Sequence, residues 1–224
     1  MAKRYLKGLV LAIGFCLAFG VSHAQTKAVR STTGQAAAEL EAYFNAMTTL
    51  QANFTQTQSD KPREVQKGTF KANRPKGQFV WQYVTPIRQR VIGTGTTVYY
   101  IDQSARVGDG QVTQLPLDAG MGRLLRGGKL DLRAMKLQVT GVQALPQGQR
   151  ITLTPSAGAG SVANQGLKQL EVTFARTGNT KQLAGFAATD ALGVTMRISL
   201  TDVKTGVVIP ASTFAYTPPQ QRVR

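Results

Sequence analysis

The sequence predicts a mainly β protein with helices, in which a curved antiparallel sheet lies under one long helix. Two observations support this fold class. Many short segments alternate apolar and polar residues with a period of two, and turns that contain Gly and Asp separate them. One segment near the start of the chain instead spaces its apolar residues three and four apart, which is typical of an amphipathic helix.

The predicted helix is a single element with a wide apolar stripe. Its apolar residues are Ala36, Leu40, Tyr43, Phe44, Met47, Leu50 and Phe54. Before it, the hydroxyls of Ser31, Thr32 and Thr33 can accept hydrogen bonds from the first-turn N–H groups. Stripes of this kind pack against a core in most proteins, so we expect the helix to lie across the sheet.

The predicted strands each have one apolar and one polar face. In residues 194–200, four apolar side chains alternate with Thr195, Arg197 and Ser199. The other predicted strands are residues 68–72, 79–83, 90–93, 97–102 and 111–117, then segments containing Leu137 and Val139, Ile151 and Leu153, residues 170–174, and Phe214 with Tyr216. Between them, residues 121–125 (MGRLL) form a predicted helical segment in a long connection, of the kind that often serves as a lid.

The first 24 residues have the pattern of a cleaved secretory signal peptide. Lys3, Arg4 and Lys7 precede an apolar run at residues 9–21, and Ser22 and Ala24 are the small residues that signal peptidase reads. The run is shorter than the roughly 20 residues of a transmembrane helix, and an uncleaved anchor is the alternative. We expect residues 25–224 to form a single exported domain.

Cleavage would remove the single Cys (Cys16) and the single His (His23) of the chain. The remaining protein could form no disulfide, no Cys- or His-based catalytic pair and no His/Cys metal site. No G-x-S-x-G, S-x-x-K or P-loop motif is present. Asp102 and Asp109 could act as an acid–base pair, but Asp109 lies in VGDG, a sequence typical of a turn. The sequence thus predicts no catalytic residue, no metal and no cofactor.

The chain is strongly basic, with a formal net charge of +16 at pH 7, or about +13 without the signal peptide. The basic residues are scattered, which is typical of a solvated surface. Attraction to anionic lipid headgroups or another polyanion is the functional alternative. No nucleic-acid-binding motif is present, and we expect no nucleic-acid partner.

An abundance of one-sided apolar surface without catalytic groups favours a role in binding apolar ligands. Exposing one buried CH₂ group to water costs about 0.8 kcal/mol, so a ~16-carbon acyl chain costs on the order of 12 kcal/mol. Acyl chains therefore need a carrier to cross an aqueous compartment, and a half-open sheet under a helix provides an apolar pocket.

Several motifs match one family in their order and spacing. They are Phe54-Thr55-Gln56, Gly68-Thr69-Phe70, Arg74-Pro75 before Phe79-Val80-Trp81 and Pro86, residues 99–102 (YYID), residues 124–127 (LLRG), residues 190–193 (DALG) and residues 214–219 (FAYTPP). On these residues the chain resembles the LolA family, periplasmic carriers that take lipoproteins from the inner to the outer membrane.

The resemblance implies an incomplete, strongly curved antiparallel β-barrel whose α-helical lid encloses an apolar cavity. It also implies a monomer in the periplasm that touches membranes only transiently. Such a carrier receives acylated lipoproteins from an inner-membrane ABC transporter and passes them to the outer-membrane acceptor LolB.

The resemblance assigns the cavity and its closure to particular residues. The expected cavity residues are Leu40, Phe44, Met47, Phe54, Phe79, Trp81, Tyr83, Tyr100, Leu124, Leu125, Phe174, Met196 and Ile198. Arg74 is expected to be a polar latch that hydrogen-bonds lid carbonyls near residues 124–127; the alternative is an ordinary turn arginine in water.

Three departures from the family pattern keep other functions open. The chain has one extra residue between Arg74 and Trp81, no Pro shortly before Leu124, and no Gly after Pro219. A LolA-like carrier of a glycolipid or polyprenyl lipid is one alternative. A non-catalytic polyanion-binding periplasmic protein is another, and a hydrolase has no nucleophile arrangement to support it.

Overall fold

The computed structural model describes residues 32–86, 88–103, 112–116, 129–156 and 166–218. They form one α-helix, eleven strands and a short 3₁₀ helix. The elements are α1 (Thr33–Ala46), β1 (Thr49–Gln58), β2 (Lys61–Asn73), β3 (Gln78–Thr85), β4 (Gln89–Thr94), β5 (Thr97–Asp102), β6 (Val112–Pro116), β7 (Leu137–Leu145), β8 (Gly148–Pro155), β9 (Leu167–Thr177), β10 (Thr180–Asp190), β11 (Thr195–Thr205) and the 3₁₀ helix Ala211–Phe214.

All eleven strands belong to one antiparallel sheet in the order β6-β5-β4-β3-β2-β1-β11-β10-β9-β8-β7. Neighbours in the sheet are neighbours in sequence except at the centre, where β1 pairs with β11. The two edge strands β6 and β7 are not paired with each other, so the sheet is an incomplete barrel. This confirms the predicted fold class. Residues 121–125, the predicted helical part of the lid, lie outside the described residues.

One face of the sheet is buried against α1, and we call it the inner face. The pattern of alternate burial is clear in β1, where Leu50, Ala52 and Phe54 are buried. Ala36, Leu40 and Phe44 of α1 are fully buried in the same cluster. The other buried members come from β2, β3, β5, β7 to β11 and the segment before β7. The helix therefore closes over the inner face, as expected.

The predicted helix is longer than the observed one. Helix α1 ends at Ala46, and Leu50 and Phe54 lie on β1 instead. Leu50, Ala52 and Phe54 also alternate with polar residues, so this segment fits a strand as well as a helix. It forms a strand because β1 pairs with both β2 and β11. The expected N-cap is confirmed at Thr32, whose hydroxyl accepts from the Gln35 N–H at 3.2 Å while the Gln35 amide oxygen accepts from the Thr32 N–H.

Strand β10 was missed because its apolar residues do not alternate regularly. Its pairing with β9 shifts between Leu183 and Gly185, so Ala184 is an extra residue. The bulge places both Leu183 and Phe186 in the inner cluster, although they are three residues apart.

The prediction of a final strand at Phe214 and Tyr216 is wrong. Residues 211–214 form the 3₁₀ helix, and the C-terminal segment packs on the opposite, outer face of β3 to β5. Phe214 is buried there beside Val80 and Ile92. The Arg90 guanidinium donates from Nη2 to the carbonyl of Thr213 at 3.2 Å, which ties this segment to β4.

Candidate functional site

The inner face brings together most of the side chains expected to line a cavity. Leu40, Phe44, Met47, Phe54, Phe79, Trp81, Phe174 and Ile198 are buried in its apolar cluster, and Tyr83 and Met196 pack against it. Tyr100 is partly exposed and lies opposite Val91 of β4, which also packs against the cluster. Leu124 and Leu125 lie outside the described residues.

Four aromatic rings form the part of the inner face that belongs to β1, β2 and β3. The Phe70 and Trp81 ring centroids are 4.2 Å apart, and Phe54 meets Trp81 and Tyr83 edge-on at 4.9 and 5.0 Å. Gly68 permits this packing, since a Cβ there would lie 1.9 Å from the Gln82 carbonyl oxygen and 2.8 Å from the Phe54 ring. The glycine of the Gly68-Thr69-Phe70 motif is thus a packing requirement.

Tyr43 attaches α1 to β9 and β10. Its ring meets Phe174 edge-on at 4.9 Å, and its hydroxyl accepts a hydrogen bond from the Leu183 N–H at 3.0 Å. Leu183 flanks the bulge of β10, where the ladder is irregular. Burial raises the pKa of Tyr43, with a smaller opposite effect of the Leu183 hydrogen bond.

Arg74 lies in the turn between β2 and β3 and is buried, with 3% of its surface exposed. Its N–H donates to the Thr48 carbonyl just after α1, and its carbonyl accepts from the Gly77 N–H, both at 2.9 Å. The guanidinium carbon lies 5.4 Å from the centroid of the Phe44 ring, within cation–π range. Burial lowers the pKa of Arg74. The alternative of a turn arginine in water is therefore wrong.

Two polar side chains of α1 hold the segment that leads into β7, and neither was predicted from the sequence. The Asn45 amide donates to the Leu130 carbonyl at 3.2 Å and accepts from the Leu130 N–H at 2.6 Å. The Glu41 carboxylate accepts from the Leu132 N–H at 2.8 Å. This segment directly follows residues 117–128, so α1 fixes one end of the connection that contains the predicted lid.

Gln56 belongs to the Phe54-Thr55-Gln56 motif but was not among the expected cavity residues. It continues the buried series of β1 after Phe54 and has 8% of its surface exposed. The Tyr83 hydroxyl donates to its amide oxygen at 2.9 Å. The period-two pattern of β1 would have placed Gln56 inside, had the segment not been assigned to a helix.

Among the described residues, no three His, Cys, Asp or Glu side chains come close enough to hold a metal ion. Asp102 ends β5, while Asp109 lies outside the described residues. Among the helices that the structure describes, none has the length and apolarity needed to cross a membrane.

Comparison with known proteins identifies the family. The family model described as outer membrane lipoprotein carrier protein LolA matches residues 45–217. The chain belongs to the LolA family. The matched range contains every strand of the described sheet, Arg74 and the C-terminal segment on the outer face.

Individual members of the LolA family are similar over most of their length. The outer-membrane lipoprotein carrier protein of Methylococcus capsulatus is 30% identical over 188 residues, 80% of this chain and 82% of the relative. The protein of the same name from Chromobacterium violaceum is 28% identical over 190 residues, 83% and 84% of the two chains. A solved structure of an uncharacterized conserved protein from Thermus thermophilus superposes with a TM-score of 0.51 at 14% identity, covering 84% of this chain and 96% of that one, and supports the fold alone.

Proposed function

We propose that this protein is a non-catalytic periplasmic carrier that shields the acyl chains of lipoproteins on its inner face. The observation that supports it most is the large apolar face under α1, in a chain of the LolA family. Acyl chains are the periplasmic groups for which such a face is needed, since each CH₂ exposed to water costs about 0.8 kcal/mol. Binding is then the whole activity, and no reaction is required of the side chains.

The two edge strands of the sheet are not paired with each other, and this supports an interior that can widen between them. Strands β6 and β7 are the two ends of the sheet order, and α1 packs beside β7. Movement of one edge away from the other would break no ladder hydrogen bond within the described sheet. We propose that cargo enters between the edge strands β6 and β7, beside α1 and under a lid that includes Leu124 and Leu125.

Arg74 is the proposed latch of that lid. Its position supports the role, because it is buried at the end of β2 where the guanidinium stacks over Phe44 of α1. A guanidinium has five N–H donors in a planar fork, enough to bind several carbonyl groups at once. We propose that backbone carbonyls near residues 124–127 are among its acceptors while the lid is closed, and that cargo binding exchanges these bonds for apolar contacts.

The proposed cargo and partners follow from the family. Cargo would be acylated lipoproteins taken from an inner-membrane ABC transporter and delivered to a LolB-like outer-membrane acceptor. The names of the relatives support an outer-membrane lipoprotein as cargo. The protein would act as a monomer that touches each membrane only transiently.

A binding experiment tests the carrier function. The purified mature protein should bind a fluorescent apolar probe at micromolar concentration, and a triacylated peptide should displace the probe. The same peptide without acyl chains is the matched control and should not displace it. If the probe does not bind, or if the bare peptide competes equally well, the carrier function is wrong.

The basic outer face favours polyanion binding as a second candidate function. Lys71 of β2 and Lys204 of β11 lie on either side of Gln51 of β1, and Lys67 lies further along β2. Affinity for lipopolysaccharide that falls steeply with salt, without any binding of the apolar probe, would favour this alternative. Binding of a glycolipid or polyprenyl lipid in preference to the acylated peptide would favour the other carriers.

A further inference from the structure

A row of polar side chains interrupts the inner face where β1 runs towards its turn with β2. We call Gln66, Gln56, Tyr83, Tyr100 and Gln89 the polar row. Gln56 and Arg74 are the two buried polar or charged residues among those that the structure describes. A buried amide is unfavourable unless its donors and acceptors are satisfied, so its place beside Phe54 calls for an explanation.

Gln56 and Tyr83 form the centre of the polar row. The Tyr83 hydroxyl donates to the Gln56 amide oxygen at 2.9 Å, and the Gln56 amide nitrogen donates to the Gln66 amide oxygen at 3.2 Å. The Phe54 ring centroid lies 5.0 Å from that of Tyr83. The polar pair therefore directly adjoins the apolar surface on which the acyl chains would lie.

Tyr100 and Gln89 extend the row across β5 and β4. Gln89 lies opposite Tyr83 in the sheet and is hydrogen-bonded to the Tyr100 side chain. Burial, with a smaller effect of Tyr100, raises the pKa of Tyr83 to about 12. The row consists of amides and phenols, and Tyr83 stays a neutral donor at any physiological pH.

Uncharged donors and acceptors beside an apolar surface suit a particular chemical group. The Gln56 amide nitrogen has a second N–H besides the one that it donates to Gln66, and the Tyr83 hydroxyl can turn its one proton from the Gln56 oxygen to another acceptor, so both can donate to an added acceptor. A phosphate would call for cations, which the row lacks, whereas ester and amide carbonyls are neutral acceptors. These carbonyls join acyl chains to a glyceryl or amino group, at the point where a lipid changes from apolar to polar.

We propose that Gln56 and Tyr83 hydrogen-bond the ester or amide carbonyls of the cargo lipid while its acyl chains lie beside Phe54. The inference rests on the proposed carrier function and adds to it a site for the linkage group. It sets the depth to which acyl chains enter, because the carbonyls stop at the row.

Tyr83→Phe tests the site, since the change removes one hydroxyl and keeps the ring. Three ligands are titrated: a triacylated cysteine peptide, a diacyl phospholipid with the same chain length, and diphenylhexatriene, a hydrocarbon probe without carbonyls. Loss of one hydrogen bond should weaken binding of the carbonyl ligands roughly twofold to tenfold and leave the hydrocarbon affinity unchanged. Gln56→Met should have the same selective effect.

Tyr99→Phe is the matched control, because Tyr99 packs on the outer face.

The outcomes separate the inference from the function on which it rests. Weakening of the peptide alone would identify the N-acyl amide as the bound group, and weakening of both carbonyl ligands would identify the glyceryl ester. Equal weakening of all three ligands, or of none, in both folded variants would overturn the inference. Failure of the wild-type protein to bind any ligand would instead overturn the carrier function.

Discussion

Arg74 is a cation held inside a protein whose interior is otherwise mostly apolar. With 3% exposure, its guanidinium has left water, and the Phe44 ring at 5.4 Å is one of the groups that face it instead. Hydrogen bonds and ring contacts of this kind are individually weak, which suits a closure that must open again. The Arg-Pro motif points to this residue in the sequence, and the structure shows that it is buried.

Arg74→Leu should fold but carry cargo less effectively. Leucine can pack against Phe44, so the thermal midpoint should change little, whereas loss of the proposed hydrogen bonds shifts the lid equilibrium. Transfer of a labelled triacylated peptide from the protein to acceptor vesicles measures the effect, with the exposed Arg63→Leu as control. Unchanged release by Arg74→Leu would refute the latch.

Tyr83 should make the fold sensitive to high pH. Its pKa is raised from 10.0 to about 12 in the folded protein, so the folded state holds its proton more tightly than the unfolded chain. This stabilisation is complete below pH 10 and is lost as the pH rises towards 12; it amounts to on the order of 2 kcal/mol. Urea unfolding at a series of pH values should show a smaller decline for Tyr83→Phe. Equal declines in the two proteins would show that Tyr83 is not the group responsible.

Strand β1 was the least predictable element. Leu50 and Phe54 fit the spacing of a helix as well as that of a strand, and the C-cap at Met47 is extended without a Gly or Pro signal nearby. Long-range pairing makes this segment a strand. β1 pairs with β2 on one side and β11 on the other, and β11 is about 145 residues away in the chain. A local pattern cannot contain that information. Strands β3 and β9, whose alternation is regular, were predicted correctly, and the bounds predicted for β5 also match the structure.

Gly68 should be essential to the packing of β1, β2 and β3. A Cβ at Gly68 would overlap the Gln82 carbonyl oxygen, so Gly68→Ala should lower the free energy of unfolding by about 3 kcal/mol or more. Gly34→Ala is the matched control. Nothing lies within 4 Å of a Cβ at that helical position, and alanine there should be neutral or stabilising by up to about 1 kcal/mol. Urea unfolding of both variants tests this contrast, and similar midpoints would contradict it.

At the scale of the whole molecule, two faces of the sheet are covered by different means. The inner face packs against α1, and the outer face of β3 to β5 packs against the C-terminal segment with Phe214. The alternation of a strand predicts which residues share a face. It does not predict which face a distant segment will cover. Phe214 and Tyr216 were predicted to be a strand because they are two residues apart, whereas the structure packs their segment on the outer face.

Export is the remaining prediction at this scale. Expressed with its leader in a Gram-negative host, the protein should appear in the periplasmic fraction with Gln25 as its first residue. Intact-mass measurement and N-terminal sequencing check this directly. Ala24→Arg should block processing and leave a membrane-associated precursor, whereas Ala38→Arg, on an exposed position of α1, should not. If the exported protein retains residues 1–24, the result would instead support the uncleaved membrane anchor.

The sequence by itself determined that the chain has a single Cys and a single His, and it predicted the faces of most of its strands. The positions of Cys16 and His23 follow from the chain alone, and the side chains of a strand point alternately to its two sides. Only the tertiary structure decided that Arg74 stacks on Phe44, that Asn45 holds Leu130 and that Gln56 meets Tyr83. Each of these contacts joins separate elements. The curvature of the sheet and long-range strand pairing bring such elements together, and no local sequence pattern specifies either of these.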